Sequence, residues 1–509
     1  MKLKSPVLKL ALFATGFSGV VAEYILSTLA TYFLGDAVFQ WTMIVSMMLF
    51  SMGLGSRFSK YITSNLLAKF ITIELLLSVL VSFASLLAYT SAGYTNYTGF
   101  IIYALSIAIG TLIGLEIPLV IRINKDFESL KVNISSVLEN DYWGSLAGGV
   151  FFAFIGLPFL GLTYTPFVLG LVNFSVALIL LFVIKEEIRN QKLFYGWSLG
   201  VFALIITGFF VAEPLIIYGE QHKYKDKIVY SEQSKYQRIV LTQWKNEHWL
   251  YLNGNQQLSS IDEDMYHEPL VHPAMKLAKH AQNVLILGGG DGCAAREVLK
   301  HKSVKDITIV DLDPAMTRLA STNSILTDLN EHALSNEKVT VINQDGFTFL
   351  TKTAQFFDVI IIDLPDPKSV DLNRLYTREF YQLCARQLRP NGVVVTQAGS
   401  PYFATKAFEC IHKTITAAGF STAAMHNQIL TMGEWGWIIG TKATLPVKEK
   451  LKELEYKDLN TNWINNEAMQ LMTSFGKNVY LKSDEKIEIN TIQNPVLYRY
   501  YLKGNWDLY

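Results

Sequence analysis

The chain has 509 residues, half of them apolar, and its 44 Lys+Arg balance 44 Asp+Glu. That length allows two or more domains with full cores, and a formal net charge of zero gives no global reason to expect nucleic acid as a partner. The three cysteines, Cys293, Cys384 and Cys410, are scattered and show neither a disulfide framework nor the ligand spacing of a zinc site.

The balance of charge hides an asymmetry between the two halves. Up to about residue 217 the chain is a succession of long apolar runs, roughly 10–34, 38–56, 66–89, 98–121, 143–161, 166–184 and 194–217, each near the ~20 residues a bilayer needs. This predicts a helical membrane domain of about seven spans over residues 1–217. The first run is too long, and followed by too many others, to be a cleaved signal peptide. Basic residues sort between the connections. Lys2, Lys4 and Lys9 precede the first run; Arg57, Lys60 and Lys69 follow the second; Arg122, Lys125 and Lys131 follow the fourth; Lys185, Arg189 and Lys192 follow the sixth. The positive-inside rule then puts the N-terminus in the cytoplasm, and seven crossings would leave the rest of the chain outside. Glu23, Glu74, Glu116, Glu139 and Asp141 lie in or beside the apolar runs, where a carboxylate is costly and signals a polar pathway or a paired group.

From about residue 222 the pattern changes to short alternating stretches. Lys227–Tyr230, Arg238–Leu241 and Trp249–Leu252, with the turn pair Asn253-Gly254, predict a small antiparallel β domain over 222–280. A polar cluster, Asp262-Glu-Asp-Met-Tyr-His-Glu268, and an amphipathic helix close it. Then comes Val284-Leu-Ile-Leu-Gly-Gly-Gly-Asp-Gly292, an apolar strand ending in a glycine turn that opens a helix. Gly288-x-Gly290-x-Gly292 is not the dinucleotide fingerprint, and no Lys-Ser/Thr pair follows to hold a triphosphate. The turn suits a ligand with an adenosine end and little phosphate. Four more strands follow, ending at Asp311, at Asp345-Gly346, at Asp363-Leu-Pro-Asp366 and at Gln397, with helices between them. This predicts a parallel α/β Rossmann-like domain, of the class I methyltransferase type, over 281–445 and a helical extension over 446–509. Asp311, about 20 residues past the glycines, is placed for ribose hydroxyls.

The acids fall at the carboxyl ends of successive strands, the edge where such sheets bind ligands. Carboxylates around an adenosine pocket, with no metal-ligand set and no nucleophile elbow, suit a cationic donor and a cationic acceptor. An alkylamine, with a pKa near ~10.4, arrives protonated. A carboxylate such as Asp363, stiffened by neighbouring prolines, could relieve it of that proton during attack.

Tyr236-Gln-Arg-Ile, Leu252-Asn-Gly-Asn-Gln-Gln257, Asp262–Glu268, Gly288–Gly292 with Arg296-Glu-Val-Leu-Lys-His301, and Asp363-Leu-Pro-Asp-Pro367 follow in an order and spacing that resembles the spermidine synthase (polyamine aminopropyltransferase) family. Glu23–Asp36, Met52-Gly-Leu-Gly55, Asp311–Leu319 and Gly433-Glu-Trp-Gly436 resemble its multi-pass membrane branch. The resemblance implies decarboxylated S-adenosylmethionine as co-substrate, no tightly bound cofactor and no metal. It implies a diamine acceptor, putrescine foremost, with spermidine and 5′-methylthioadenosine as products. By the same resemblance, Gln237, Gly288, Gly290, Asp291, Asp311, Asp345 and Gly346 would hold the donor. Gln257, Tyr266, His267, Asp291 and Asp366 would hold the amine, and Asp363 would be the general base. A lipid bilayer, a small polyamine and a second copy of the chain are the implied partners.

Three departures bear on the acceptor: Leu364-Pro365 between the paired aspartates, Leu430-Thr-Met432 before Gly433, and Asn253 in place of the usual Asp. Two other readings fit parts of the pattern. One is a methyltransferase using intact S-adenosylmethionine; the other is a membrane transporter or sensor whose soluble half binds polyamine without chemistry. Supply of the donor from inside the cell argues for a cytoplasmic catalytic half, against the loop charges, and Lys223, Lys225 and Lys227 fit that exit. The charged tail and the aromatic Tyr498-Arg-Tyr-Tyr501 read as packing or a solvated face rather than as a site.

Overall fold

A computed structural model describes residues 4–35, 37–95, 97–125, 129–184, 188, 190–476 and 486–506. Lys2, Asp36, Lys185 and Arg189 lie outside them. The chain divides into two compact units, Met1–Ile228 and Val229–Tyr509.

The first unit is helical: α1 (Lys4–Leu34), α2 (Ala37–Phe58), α3 (Leu66–Tyr94), α4 (Thr98–Asn124), α5 (Leu130–Phe151), α6 (Gly161–Val183) and α7 (Gln191–Gln221). Among the described residues six helical stretches are long and apolar enough to cross a membrane. The count differs from seven because the fifth and sixth apolar runs belong to one stretch, Leu130–Val183, of 54 residues. A π-helical segment, Phe152–Leu160, joins its arms, and Gly161 turns the chain at φ +61. The arms run opposite ways along α1. Gly144 and Gly148 of α5 abut Phe13 and Phe17, and Phe152 meets Tyr24, so α5 rises with α1. Asn173 of α6 is back at the level of Ser18, whose hydroxyl it accepts at 2.6 Å. Small residues let these backbones come together, the packing that apolar solvent favours. Glu74 and Glu116 are buried in this unit, Glu23 and Asp141 are half-buried, and Glu139 is exposed.

The second unit opens with a four-stranded antiparallel sheet of β1 (Lys227–Gln233), β2 (Arg238–Trp244), β3 (Glu247–Leu252) and β4 (Asn255–Ser259). Asn253 and Gly254, at φ +50 and +77, make its last turn, a pairing that Asn serves as well as Asp. Helix α8 (Asp264–Ala278) then leads to a seven-stranded sheet of β5 (Asn283–Gly288), β6 (Asp306–Asp311), β7 (Val339–Asn343), β8 (Phe357–Asp363), β9 (Leu388–Gly399), β10 (Ser421–Ile429) and β11 (Gly433–Thr441). Its order is β10-β11-β9-β8-β5-β6-β7. The five predicted strands are parallel neighbours, and their near-continuous Val/Ile/Leu runs reflect burial on both faces. Val284 and Ile286 pack into one core, Leu285 and Leu287 into the other. Strands β10 and β11 lie beyond the five expected strands. They pair antiparallel, so the Gly433-Glu-Trp-Gly436 motif begins a strand beside β9.

The order places the topological switch between β5 and β8, where the chain leaves first to one side and then to the other. Such sheets bind ligands in the crevice outside that point.

Candidate active site

Gly288 ends β5 in register with Asp363 at the end of β8. A Cβ on Gly288 would sit 2.0 Å from the Asp363 carbonyl oxygen, so only glycine lets the two strand ends meet. The Gly289 amide donates to that same carbonyl at 3.1 Å. At Gly290 a Cβ would lie 2.6 Å from Asp311 Oδ2, which fixes how closely the turn approaches the end of β6. The glycine turn therefore holds Asp363 on one side and Asp311 on the other.

Tyr266, on α8, donates its hydroxyl to Asp363 Oδ1 at 2.8 Å. Burial is the largest influence on Asp363. The His267 charge and the Tyr266 hydrogen bond pull its pKa down, the Asp291 charge pushes it up, and the balance is about 6. A base at that level is ionised at neutral pH yet closer to an amine than an ordinary Asp.

His267 shows the opposite balance. Burial would lower its pKa, but the hydrogen bond and charge of Glu263, aided by Asp291 and Asp363, raise it to about 9. Its Nδ1 lies 2.7 Å from Glu263 Oε2 and its Nε2 3.9 Å from Asp291 Oδ1. Glu263 is itself gripped by Arg296, Nη1 to Oε1 at 2.7 Å and Nη2 to Oε2 at 3.0 Å. Burial would raise the pKa of Glu263; His267 and Arg296 hold it down to about 2. His267, Asp291 and Asp363 lie close enough to share a metal ion. With its proton on, the imidazole donates from both ring nitrogens, to Glu263 and toward Asp291.

Asp311 is pushed up to about 6, first by burial and then by the charges of Asp313 and Asp291, against hydrogen bonds from the Asp313 and Gly290 main chain. Asp313 caps helix α10 (Pro314–Thr322) and also accepts Gln237 Nε2 at 2.9 Å and Ser234 Oγ at 2.6 Å. Gln237 is thus tied to the loop after β6. Asp291 Oδ1 accepts the Cys293 amide at 2.8 Å at the head of helix α9 (Cys293–Leu299). Asp345 caps the helix Gly346–Lys352 through the Thr348 amide at 2.9 Å and is ion-paired with Arg374. Gln257 donates to the main-chain oxygens of Asn255 and Gln256, at 3.2 and 3.1 Å.

The structure thus brings Tyr266, His267, Asp291 and Asp363 together around Gly288–Gly290, with Asp311 at the other edge of the turn. Asp345 and Gly346 stand at the end of β7, and Gln237 and Gln257 bond to neighbouring loops.

Other side chains brace this region through partners distant in sequence. Glu263 and Arg296 were visible only as parts of motifs; nothing in their spacing shows that they grip each other across 33 positions. Gln397 donates to the Leu364 carbonyl at 2.8 Å and to the Tyr376 hydroxyl at 2.6 Å, and Tyr376 donates onward to the Pro365 carbonyl at 3.0 Å. Together they fix the loop between the paired aspartates. Thr431, in the segment that departs from the family pattern, donates its amide to Asp262 Oδ2 at 2.6 Å and accepts Gln256 Nε2 at 2.6 Å. In the tail, the buried Tyr501 donates its hydroxyl to Asp366 Oδ2 at 2.6 Å.

Residues 263–452 match the family model of the spermine/spermidine synthase domain. The similarity to curated proteins extends over nearly the whole chain. A polyamine aminopropyltransferase of Leptospira interrogans is 40% identical over 483 residues, 95% of each chain. Polyamine aminopropyltransferase 2 of Aquifex aeolicus is 41% identical over 500 residues, 98% of this chain and 99% of that one. Among solved structures, spermidine synthase from Thermotoga maritima is 28% identical and covers 50% of this chain and 86% of its own, with a TM-score of 0.45. Identity that spans both halves of the chain decides among the three readings in favour of aminopropyl transfer. The chain belongs to the polyamine aminopropyltransferase family, enzymes of the spermidine synthase type.

Proposed function

We propose that this enzyme moves the aminopropyl group of decarboxylated S-adenosylmethionine onto a diamine, putrescine foremost, releasing 5′-methylthioadenosine and spermidine. The observation that carries this is Asp363, fixed by Tyr266 and by its register with Gly288, with its pKa raised to about 6. In this reading the amine nitrogen attacks the carbon beside the sulfonium. The carbon–sulfur bond breaks, its electron pair stays on sulfur, and the proton lost by nitrogen passes to Asp363 Oδ2. Positive charge leaves sulfur as it grows on nitrogen, so carboxylates fixed along that path favour the transition state. Asp311 would bind the ribose hydroxyls. Gly288 and Gly290 would admit the donor to the main chain, and Gln237, Asp345 and Gly346 would border its adenine side. Asp291, Tyr266, His267 and Gln257 would line the way to the aminopropyl and amine ends, and Asp366 would orient the acceptor.

Detergent-purified protein, offered decarboxylated or intact S-adenosylmethionine with a series of amines, tests the reading. Methylthioadenosine and an amine heavier by one aminopropyl group are expected. Methylated product from the intact compound would overturn it.

We further propose that the enzyme is a multi-pass protein of the cell membrane, of that branch of the family, and works as a homodimer. Its catalytic half would lie on the cytoplasmic side, where the donor is made. The loop charges favour a second reading. Counting the two arms of Leu130–Val183 as separate crossings would give seven traverses, and basic connections at the N-terminal side would then leave residue 229 onward outside. A reporter fused after Tyr509 that signals outside the cell would establish that second reading.

A further inference from the structure

We infer that Tyr501 sets the length of amine the site accepts, by taking one oxygen of Asp366 and closing the acceptor end. The inference rests on the proposal that Asp366 orients the acceptor. Tyr501 lies outside the residues of the family domain, on a short helix, Leu497–Leu502. Its hydroxyl occupies Asp366 Oδ2, while Asp366 Oδ1 is buried and has no hydrogen-bond partner among the described residues. A buried carboxylate oxygen without a donor is costly, and an ammonium group supplies the missing one.

Beside Asp366 stand the buried Tyr501 ring and one partly exposed cation, Lys368. Tyr501 is 3% exposed, with the Trp506 ring at 4.6 Å, and a Cβ added at Gly399 would lie 3.6 Å from its ring. Lys368 Nζ stands 5.7 Å from the Tyr501 ring centre and 3.6 Å from Asp366 Oδ2, held there by Asn255 Oδ1 at 2.8 Å. A diamine ends before this wall. A triamine that ran on past Asp366 would bring a further ammonium against Lys368 and the ring.

The wall is anchored. Asn490, fully buried, donates to the Asn373 and Tyr376 carbonyls at 3.2 and 3.0 Å and accepts the Val496 and Leu497 amides at 3.1 and 3.3 Å. That ties the tail to the residues that follow the aspartate loop.

The test compares the wild type with Tyr501→Phe, Tyr501→Ala and Lys368→Ala. Each is assayed for kcat and KM with 1,3-diaminopropane, putrescine, cadaverine and spermidine, and for binding of the same amines by calorimetry with methylthioadenosine present. The wild type is expected to favour diamines over spermidine. Tyr501→Ala should raise the spermidine-to-putrescine ratio of kcat/KM about tenfold. Tyr501→Phe keeps the ring, so it should keep the length order and raise the KM for putrescine about tenfold with little change in kcat. Should Tyr501→Ala fail to fold, Lys368→Ala must shift the ratio in the same direction. An unchanged ratio in the folded variants, or a wild type that favours spermidine, overturns the inference while leaving aminopropyl transfer intact. A wild type without turnover overturns the proposed function instead. The calorimetric length order then decides Tyr501, and no amine binding at all removes both.

Discussion

Replacing Asp363 by Asn should abolish turnover and stabilise the fold. The amide keeps an oxygen for the Tyr266 hydroxyl but cannot accept the amine proton. Loss of a general base costs about 10²–10⁴-fold in kcat. For stability, the Asp363 pKa rises from 3.8 to about 6 on folding, mainly through burial. At about 1.4 kcal/mol per pKa unit, that is roughly 3 kcal/mol against the ionised side chain, or about 1–2 kcal/mol after solvent screening of a half-buried group. A raised carboxyl pKa leaves the folded state at no disadvantage below about pH 4. Stability is lost as pH rises through about 6. The Asn variant should therefore match the wild type in Tm at pH 4 and exceed it by a few °C at pH 8, at about 2–4 °C per kcal/mol for a unit of this size. Thermal unfolding between those pH values, beside a methylthioadenosine-release assay, measures both effects. Turnover within tenfold of wild type, or a Tm difference that does not grow with pH, would refute the reasoning.

The wild-type kcat/KM should fall as pH drops through about 6, when Asp363 and Asp311 take up protons; a profile flat from pH 5 to 7 contradicts the assignment of the base. Glu263→Gln removes the main support for the His267 proton, so the imidazole pKa should drop from about 9 toward neutrality. NMR titration of His267 would register it, with turnover at pH 8 falling about tenfold or more, since a hydrogen bond to a charged group is worth about 1.5–3 kcal/mol. Gly290→Ala drives a methyl group toward Asp311 Oδ2, and the donor KM should rise about tenfold while the amine KM stays the same. In the helical unit, Gly144→Val cannot coexist with the Phe13 carbonyl 2.0 Å from its Cβ position; the yield of folded protein from membranes should collapse.

The parallel strands were legible because each is an apolar run closed by a turn residue, and the acids at their ends follow from that register. The apolar helices were legible for the same reason. The boundary between the fifth and sixth runs, read at 161–166, falls where Gly161 turns the chain at φ +61. The π-helical form of Phe152–Leu160 was not legible, since nothing in its apolar composition marks it. Strands β10 and β11 were missed because Gly433-Glu-Trp-Gly436 reads as a motif before it reads as a strand. At the site, Asp363, Asp291 and His267 could be picked out by residue type. Their working states could not, because those are set by partners distant in sequence. Arg296 sits 33 positions from Glu263, and Tyr501 sits 135 from Asp366. A buried tyrosine in an aromatic tail looks like packing until its hydroxyl is seen to have a carboxylate to bond.

The abutment of Gly288 on the Asp363 carbonyl has a consequence for how this enzyme can change. The turn proposed to seat the donor and the residue proposed to take the proton are one mechanical piece, so neither can drift without the other, and variation there is punished twice. The side proposed to hold the amine is assembled from separable parts: a hairpin at Thr431 and a tail that follows the last strand of the sheet. Descendants of such a chain can explore new acceptors by rewriting the tail alone, with the reaction held constant, and a protein engineer would begin at the same place.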